Sequence, residues 1–180
     1  MKNFIARIFS KAKRNRGYTL LEVVVYVGVL SVAVLAIFSI LFSITRAFVE
    51  ARIYNEVEIS GTAAMERITR EIRTAISVDD GNSVFDSHPG LLQLNTTDEA
   101  GTEKTIQFYF DDANDAINLD DDGTDKGPLT GSGVEITNLV FRKWVNTKST
   151  LVKIEMTVRS KKKPTFSAKF YDSVVLRGGY

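Results

Sequence analysis

Arg16-Gly17-Tyr18-Thr19-Leu20-Leu21-Glu22, and the uncharged run of residues 23–45 that follows, decide how this chain is built. Val, Leu, Ile, Phe and Ala dominate that run, interrupted only by Tyr26, Gly28, Ser31, Ser39, Ser43 and Thr45. At 1.5 Å rise per residue, 23 helical residues reach about 35 Å, enough to cross a hydrocarbon core of roughly 30 Å. A core helix of a water-soluble domain is rarely apolar on every side for so long, so the run reads as a membrane span. Glu22 is the one residue out of place. An ionised side chain inside a bilayer costs at least about 2.5–3.5 kcal/mol, and such a residue by default has a purpose.

On the N-terminal side, residues 1–17 hold Lys2, Arg7, Lys11, Lys13, Arg14 and Arg16 and no acid. Beyond the span the charges are mixed, beginning with Arg46, Glu50 and Arg52. A basic flank stays cytoplasmic, so the remainder of the chain is expected outside. A secretory signal needs an apolar core of about 7–15 residues followed by a small-residue cleavage site. Here the apolar run is longer, and the polar landmark precedes it. Removing the six leader cations from the 23 Lys and Arg leaves 17 against 22 Asp and Glu, a formal charge of −5. Phosphate binding needs clustered cations, so no general nucleic-acid surface is expected. With no cysteine, neither a disulfide framework nor a thiolate metal site can form.

In this junction the sequence resembles the type IV pilin superfamily, whose members carry a short basic leader, Gly, Phe or Tyr, Thr, Leu, a further aliphatic and Glu. Gly17, Tyr18, Thr19, Leu20, Leu21 and Glu22 match in order. The resemblance implies cleavage between Gly17 and Tyr18 by a membrane prepilin peptidase, then N-methylation of the new amino terminus on Tyr18. It also implies an assembly role for Thr19, Leu20, Leu21 and Glu22, the Glu22 carboxylate pairing with the amino terminus of a neighbouring subunit. Two opposite charges in a low-dielectric setting attract strongly, and either one alone is expensive there. The plainer alternative is a Glu22 solvated at headgroup level.

Four regions are expected: a cleaved leader at 1–17, a transmembrane and assembly helix at 18–45, its amphipathic continuation at 46–78, and an extracytoplasmic β-rich domain at 79–180. The continuation rests on Val49, Ile53, Val57, Ala64, Ile68, Ile72 and Ile76 recurring at helical intervals. Glu66 with Arg70 and Arg67 with Glu71 are spaced to pair, and Gly61 is a weak point where the helix can bend. Residues 65–75 could be read as a basic recognition helix, but an apolar face on a sheet with charges toward water accounts for them better. This arginine-dotted helix end is similar to the J-type minor pseudopilins of type II secretion systems.

After Val78, turn clusters separate short apolar runs. Strands are predicted near 91–94, 105–110, 116–119, 134–145, 151–159 and 165–176. Short gaps favour hairpins, and the fold class is α+β, a long N-terminal helix packed on an antiparallel sheet. Lys161-Lys162-Lys163-Pro164 reads as a solvated turn, with an anionic-lipid contact as the lesser reading.

Chemistry has few candidates. His88 stands alone beside Pro89 and Gly90, with no nucleophile motif, and reads as a surface-loop histidine rather than a general base. Asn118, Asp120, Asp122 and Gly123 have the spacing of a calcium loop. Yet the first ligand is Asn, Lys126 takes the ninth position, and Leu129 stands where a bidentate Glu is wanted. A polar turn beside a hairpin is the preferred reading. Trp144 is expected in the core, with a partner contact as the alternative. No catalytic residue, metal ligand or cofactor is assigned.

The expected role is therefore structural and non-enzymatic. By resemblance, the chain is a minor pilin or pseudopilin of a type IV pilus, competence or type II secretion filament. The preference for a minor subunit draws on the J-like helix, the absent cysteines and the ending Leu176-Arg177-Gly178-Gly179-Tyr180. Implied partners are other pilin-like subunits, the prepilin peptidase, an assembly platform with its motor ATPase, and the membrane. The expected location is the inner membrane, single-pass with the N-terminus cytoplasmic, then the filament. From another class come a binding domain held by an uncleaved signal anchor and a membrane metalloenzyme dependent on the acidic stretch 111–125.

Overall fold

A computed structural model of the chain describes residues 17–98, 100–147 and 149–176. The leader cations from Lys2 to Arg16, and residues 177–180, lie outside the described residues. One helix, α1 (Leu20–Thr74), is followed by eight strands: β1 (Ser77–Val78), β2 (Leu91–Thr97), β3 (Glu103–Asp111), β4 (Ala116–Asp121), β5 (Thr124–Pro128), β6 (Val134–Asn146), β7 (Ser149–Ser160) and β8 (Ser167–Val175). The chain divides into two compact units, one up to Ala47 and one from Phe48.

The first unit contains the apolar part of α1, long and apolar enough to cross a membrane and with none of that stretch buried. Three of its hydroxyl groups are reconciled with apolar surroundings locally. The hydroxyls of Ser31, Ser43 and Thr45 donate to the carbonyls of Val27, Ser39 and Leu41 at 2.7, 3.0 and 2.9 Å. Each donor is thus satisfied four residues back, within its own helix.

In the second unit α1 becomes one-sided. Ile53, Val57, Gly61, Ala64, Met65, Ile68, Thr69 and Ile72 are buried, a stripe at steps of one, three and four residues that lies along one helix face. Val49, expected on that stripe, is exposed. Arg67 pairs with Glu71 at 2.8 Å, while the expected Glu66–Arg70 pair is not among the ion pairs of the described residues. The helix ends at Thr74, whose hydroxyl is within 3.2 Å of the Arg70 and Glu71 carbonyls. It was expected to continue toward Ser77 and Val78. Instead those two residues pair as β1 with Asn95 and Leu94, and Ile76, read as part of the helical stripe, is exposed.

The strands form two sheets. Five run as a meander, β1-β2-β3-β4-β5, and three as β6-β7-β8, with every pairing antiparallel. The α+β class is as expected, but the β domain is divided between two sheets. One core joins them. Ile68 and Ile72 of α1 cluster with Leu92, Phe108 and Ile117 of the larger sheet and Leu139, Phe141 and Ile154 of the smaller. In β7, Val152, Ile154, Met156 and Val158 are buried while Lys153, Glu155, Thr157 and Arg159 are half-buried. This is the inside–outside alternation that a period of two imposes. On the outer face Lys153 and then Arg142 hold the Glu155 carboxyl below the usual glutamate range.

Trp144 departs from its expected place in the core and is 50% exposed. The β6–β7 ladder runs on to Asn146 and Ser149, beyond the buried residues. Strand alternation also turns Trp144 away from the face that buries Phe141. β5 has no apolar pattern and went unpredicted; it hangs on the Asp122-Gly123 turn, both residues at positive φ (54° and 76°), the backbone that a tight two-residue hairpin requires.

Gly61 is a packing position. The helix passes through it unbroken, and a Cβ there would overlap the ring of Phe170 on β8. Two turns on, the Thr69 hydroxyl donates to Asp172 at 2.8 Å, tying α1 to the same strand. Gly61→Ala gains about 1 kcal/mol of helix propensity, but overpacking of this kind costs about 1–3 kcal/mol. The expected outcome is a lower thermal unfolding midpoint for the detergent-held chain, recovered when Phe170→Leu is added. A higher midpoint for Gly61→Ala alone would overturn this packing account.

Candidate functional site

The junction residues are arranged by a helix start. Thr19 precedes the first helical residue, and its carbonyl accepts the first helical bond, from Val23 N–H at 3.1 Å. Its Oγ1 accepts the Glu22 N–H at 3.3 Å, satisfying one of the donors that every helix N-terminus leaves open. Thr19-Leu20-Leu21-Glu22 thus has the T-x-x-E spacing of a capping box, in which the glutamate side chain returns to the cap residue's N–H. Glu22 does something else. Its Oε1 accepts a hydrogen bond from the Tyr26 hydroxyl at 2.7 Å. A carboxylate at the helix N-terminus also gains from the macrodipole.

Exposure sets Glu22 apart as well. From Gly17 to Ala47 it alone is half-buried, while every other residue is exposed. The cover comes from its own helix, on the side where Tyr26 leans over it. The Tyr18 and Tyr26 rings meet edge to face, centroids 6.3 Å apart with planes at 78°. Tyr18, Glu22 and Tyr26 therefore share one side of the helix start, four residues apart. Leu20 and Leu21 are exposed, and a Cβ on Gly17 would meet nothing within 4 Å among the described residues.

The junction thus brings together Tyr18, Thr19 and Glu22 and leaves Gly17, Leu20 and Leu21 open to a partner. Sequence reading counted Tyr26 only as an interruption of the apolar run. The signal that could have found it is its spacing, four residues after the lone acid, where helical side chains meet.

The other candidates are engaged elsewhere. His88 Nδ1 accepts the Leu139 N–H at 3.1 Å, and its ring lies edge-on to Phe110, so it anchors a loop to β6. Asn118 is buried in β4 and donates from Nδ2 to the Tyr109 hydroxyl at 3.4 Å. Asp120 Oδ1 accepts the Gly123 N–H at 2.6 Å. The stretch is thus a strand and its hairpin turn, and among the described residues no group of three or more His, Asp or Glu is placed to hold a metal ion. Lys161 Nζ donates to the Asn114 carbonyl and Lys163 Nζ pairs with Glu50, both at 3.0 Å, so the lysine turn is fixed within its own unit.

The model of the family described as "Prokaryotic N-terminal methylation motif" matches residues 12–38, a stretch running from before Gly17 into the apolar part of α1. No curated protein and no solved structure matches the chain. The motif implies processing by prepilin peptidase and assembly with other pilin subunits, and the proteins that carry it are structural rather than enzymatic. A prepilin-type motif that opens a long apolar helix suited to a membrane, followed by antiparallel sheets on that helix's amphipathic end, makes this chain pilin-like and consistent with the type IV pilin superfamily.

Proposed function

We propose that the chain is a structural subunit, a minor pilin or pseudopilin, of a type IV pilus, competence or type II secretion filament. Prepilin peptidase cuts between Gly17 and Tyr18, and the Tyr18 amine is methylated. Residues 18–45 hold the subunit in the inner membrane, with its N-terminus cytoplasmic and residues 79–180 outside. An assembly platform and its motor ATPase then draw it into the filament. There Thr19, Leu20 and Leu21 pack against neighbouring helices, and the Glu22 carboxylate meets a neighbour's amino terminus.

The observation that carries this reading is one carboxylate at the mouth of the otherwise uncharged stretch 23–45, inside the matched motif. A residue so costly to place in lipid needs a cationic partner, and an assembling bundle of such helices supplies one in each new amino terminus. Intact-mass spectrometry of the polypeptide extracted from its own cells tests it. The expected mass is that of residues 18–180 plus one methyl group, with the modification on Tyr18. A mass that retains Met1 through Gly17 favours an uncleaved signal anchor bearing a binding domain.

A further inference from the structure

We propose that Tyr26 is a positioning residue for Glu22: its hydroxyl holds one carboxylate oxygen in the unassembled subunit, so that the other is presented to the amino terminus of an incoming pilin-like subunit. The inference rests on the assembly role of Glu22 given above and names what prepares that group.

Three features of the helix start carry it. A T-x-x-E sequence offers its glutamate a local partner, the cap residue's N–H, yet Glu22 Oε1 lies 2.7 Å from the Tyr26 hydroxyl instead. Helical side chains lean toward the N-terminus, so a residue at i+4 reaches back over the acid, and the half-burial of Glu22 is that cover. The Tyr26 ring is itself steadied by edge contact with Tyr18 at 6.3 Å, the residue whose amine cleavage exposes.

Three serine and threonine hydroxyls along the apolar stretch show why Tyr26 is distinctive. Ser31, Ser43 and Thr45 each donate to a carbonyl of their own helix. Tyr26 cannot fold back in this way, because its hydroxyl stands at the end of a rigid ring. It donates to the one acid in reach. Among the described residues Oε1 alone is engaged, and Oε2 accepts no hydrogen bond. A carboxylate with one oxygen fixed and one open is ordered before the amine arrives. The ordering entropy that association would otherwise lose is thereby reduced.

Two substitutions in the full chain, expressed in its own cells, separate this role from packing. Tyr26→Phe keeps the ring and removes the donor, whereas Tyr26→Gln removes the ring and keeps a donor at i+4. Leader removal and the amount of subunit in the membrane are expected to stay as in the unaltered chain for both. Incorporation into sheared filaments is expected to fall about two- to tenfold in Tyr26→Phe, by the loss of that ordering, and to remain higher in Tyr26→Gln. Unaltered incorporation of Tyr26→Phe, or Tyr26→Gln faring no better than Tyr26→Phe, overturns the proposal. Glu22→Ala, run beside them, distinguishes the two levels. If Glu22→Ala incorporates normally, the assembly role itself fails. If Glu22→Ala is excluded while Tyr26→Phe enters freely, only the positioning role fails.

Discussion

Gly17→Glu is expected to leave the leader on every copy of the chain, with Gly17→Ala cut at least about tenfold more slowly, a barrier change of 1.4 kcal/mol. The fold of the chain does not itself require glycine at this position. Among the described residues a Cβ on Gly17 would meet nothing within 4 Å, and its φ is not among the positive ones. The need for a missing side chain therefore lies in what approaches from outside. A protease must draw an extended backbone into its cleft, and a glycine lets that backbone come close. A glutamate would add bulk and a charge at the membrane surface, where the same approach becomes a clash. Because residue 17 precedes the helix and a side chain there would meet none of the described residues, a block on cleavage could not be blamed on misfolding. The two forms differ by seventeen residues and separate on a gel. Normal maturation of Gly17→Glu would sink the processing assignment.

How much of the molecule could be read beforehand follows from which physical signals are local. In β7, Val152, Ile154, Met156 and Val158 alternate with polar residues, and burial follows that alternation. The stripe through Ile53, Val57, Ala64, Ile68 and Ile72 was equally plain, because both periodicities are set by backbone geometry. Three features escaped because tertiary context outweighed local pattern. β1 takes Ser77 and Val78 from what looked like the end of a helix, since pairing with β2 satisfies their backbone better than one more frayed turn. β5, Thr-Asp-Lys-Gly-Pro, carries no apolar face and exists as an edge because the Asp122-Gly123 turn returns the chain alongside β4. Trp144 lies past the point where the ladder leaves the core, an end that no residue near it announces.

The junction was legible to a different depth. Gly17, Tyr18 and Glu22 stood out because a charge, a glycine and a long apolar run are each conspicuous alone and rarely adjoin. What the acid touches was not legible. The T-x-x-E spacing points its side chain toward the cap, whereas in the folded chain Tyr26 has taken the carboxylate instead. The apolar run advertises where the helix lies, whereas the partners of a single polar group depend on rotamers that periodicity leaves open.

Glu22→Ala is expected to be cut, methylated and held in the membrane at least as abundantly as the unaltered chain, and yet to be lost from filaments. The two halves of this outcome come from one group acting in two settings. In the lipid-held subunit the carboxylate is a liability of about 2.5–3.5 kcal/mol, so its removal favours that state. In the proposed filament bundle it would gain a charge-assisted bond to an amine, about 1.5–3 kcal/mol, or roughly 10- to 150-fold at 1.4 kcal/mol per decade. Removal strands the neighbour's ammonium in apolar surroundings, which adds to the loss. Both changes push the same way, away from the filament. Quantitative immunoblots of sheared-filament and membrane fractions read the ratio directly, and it should fall by about tenfold or more. Glu22→Gln sharpens the point, because it preserves shape and a carbonyl acceptor for the Tyr26 hydroxyl while removing the charge. If Glu22→Gln enters filaments as Glu22 does, the attraction is not ionic and a hydrogen bond suffices; if it is excluded like Glu22→Ala, the charge itself is what brings the helices into register.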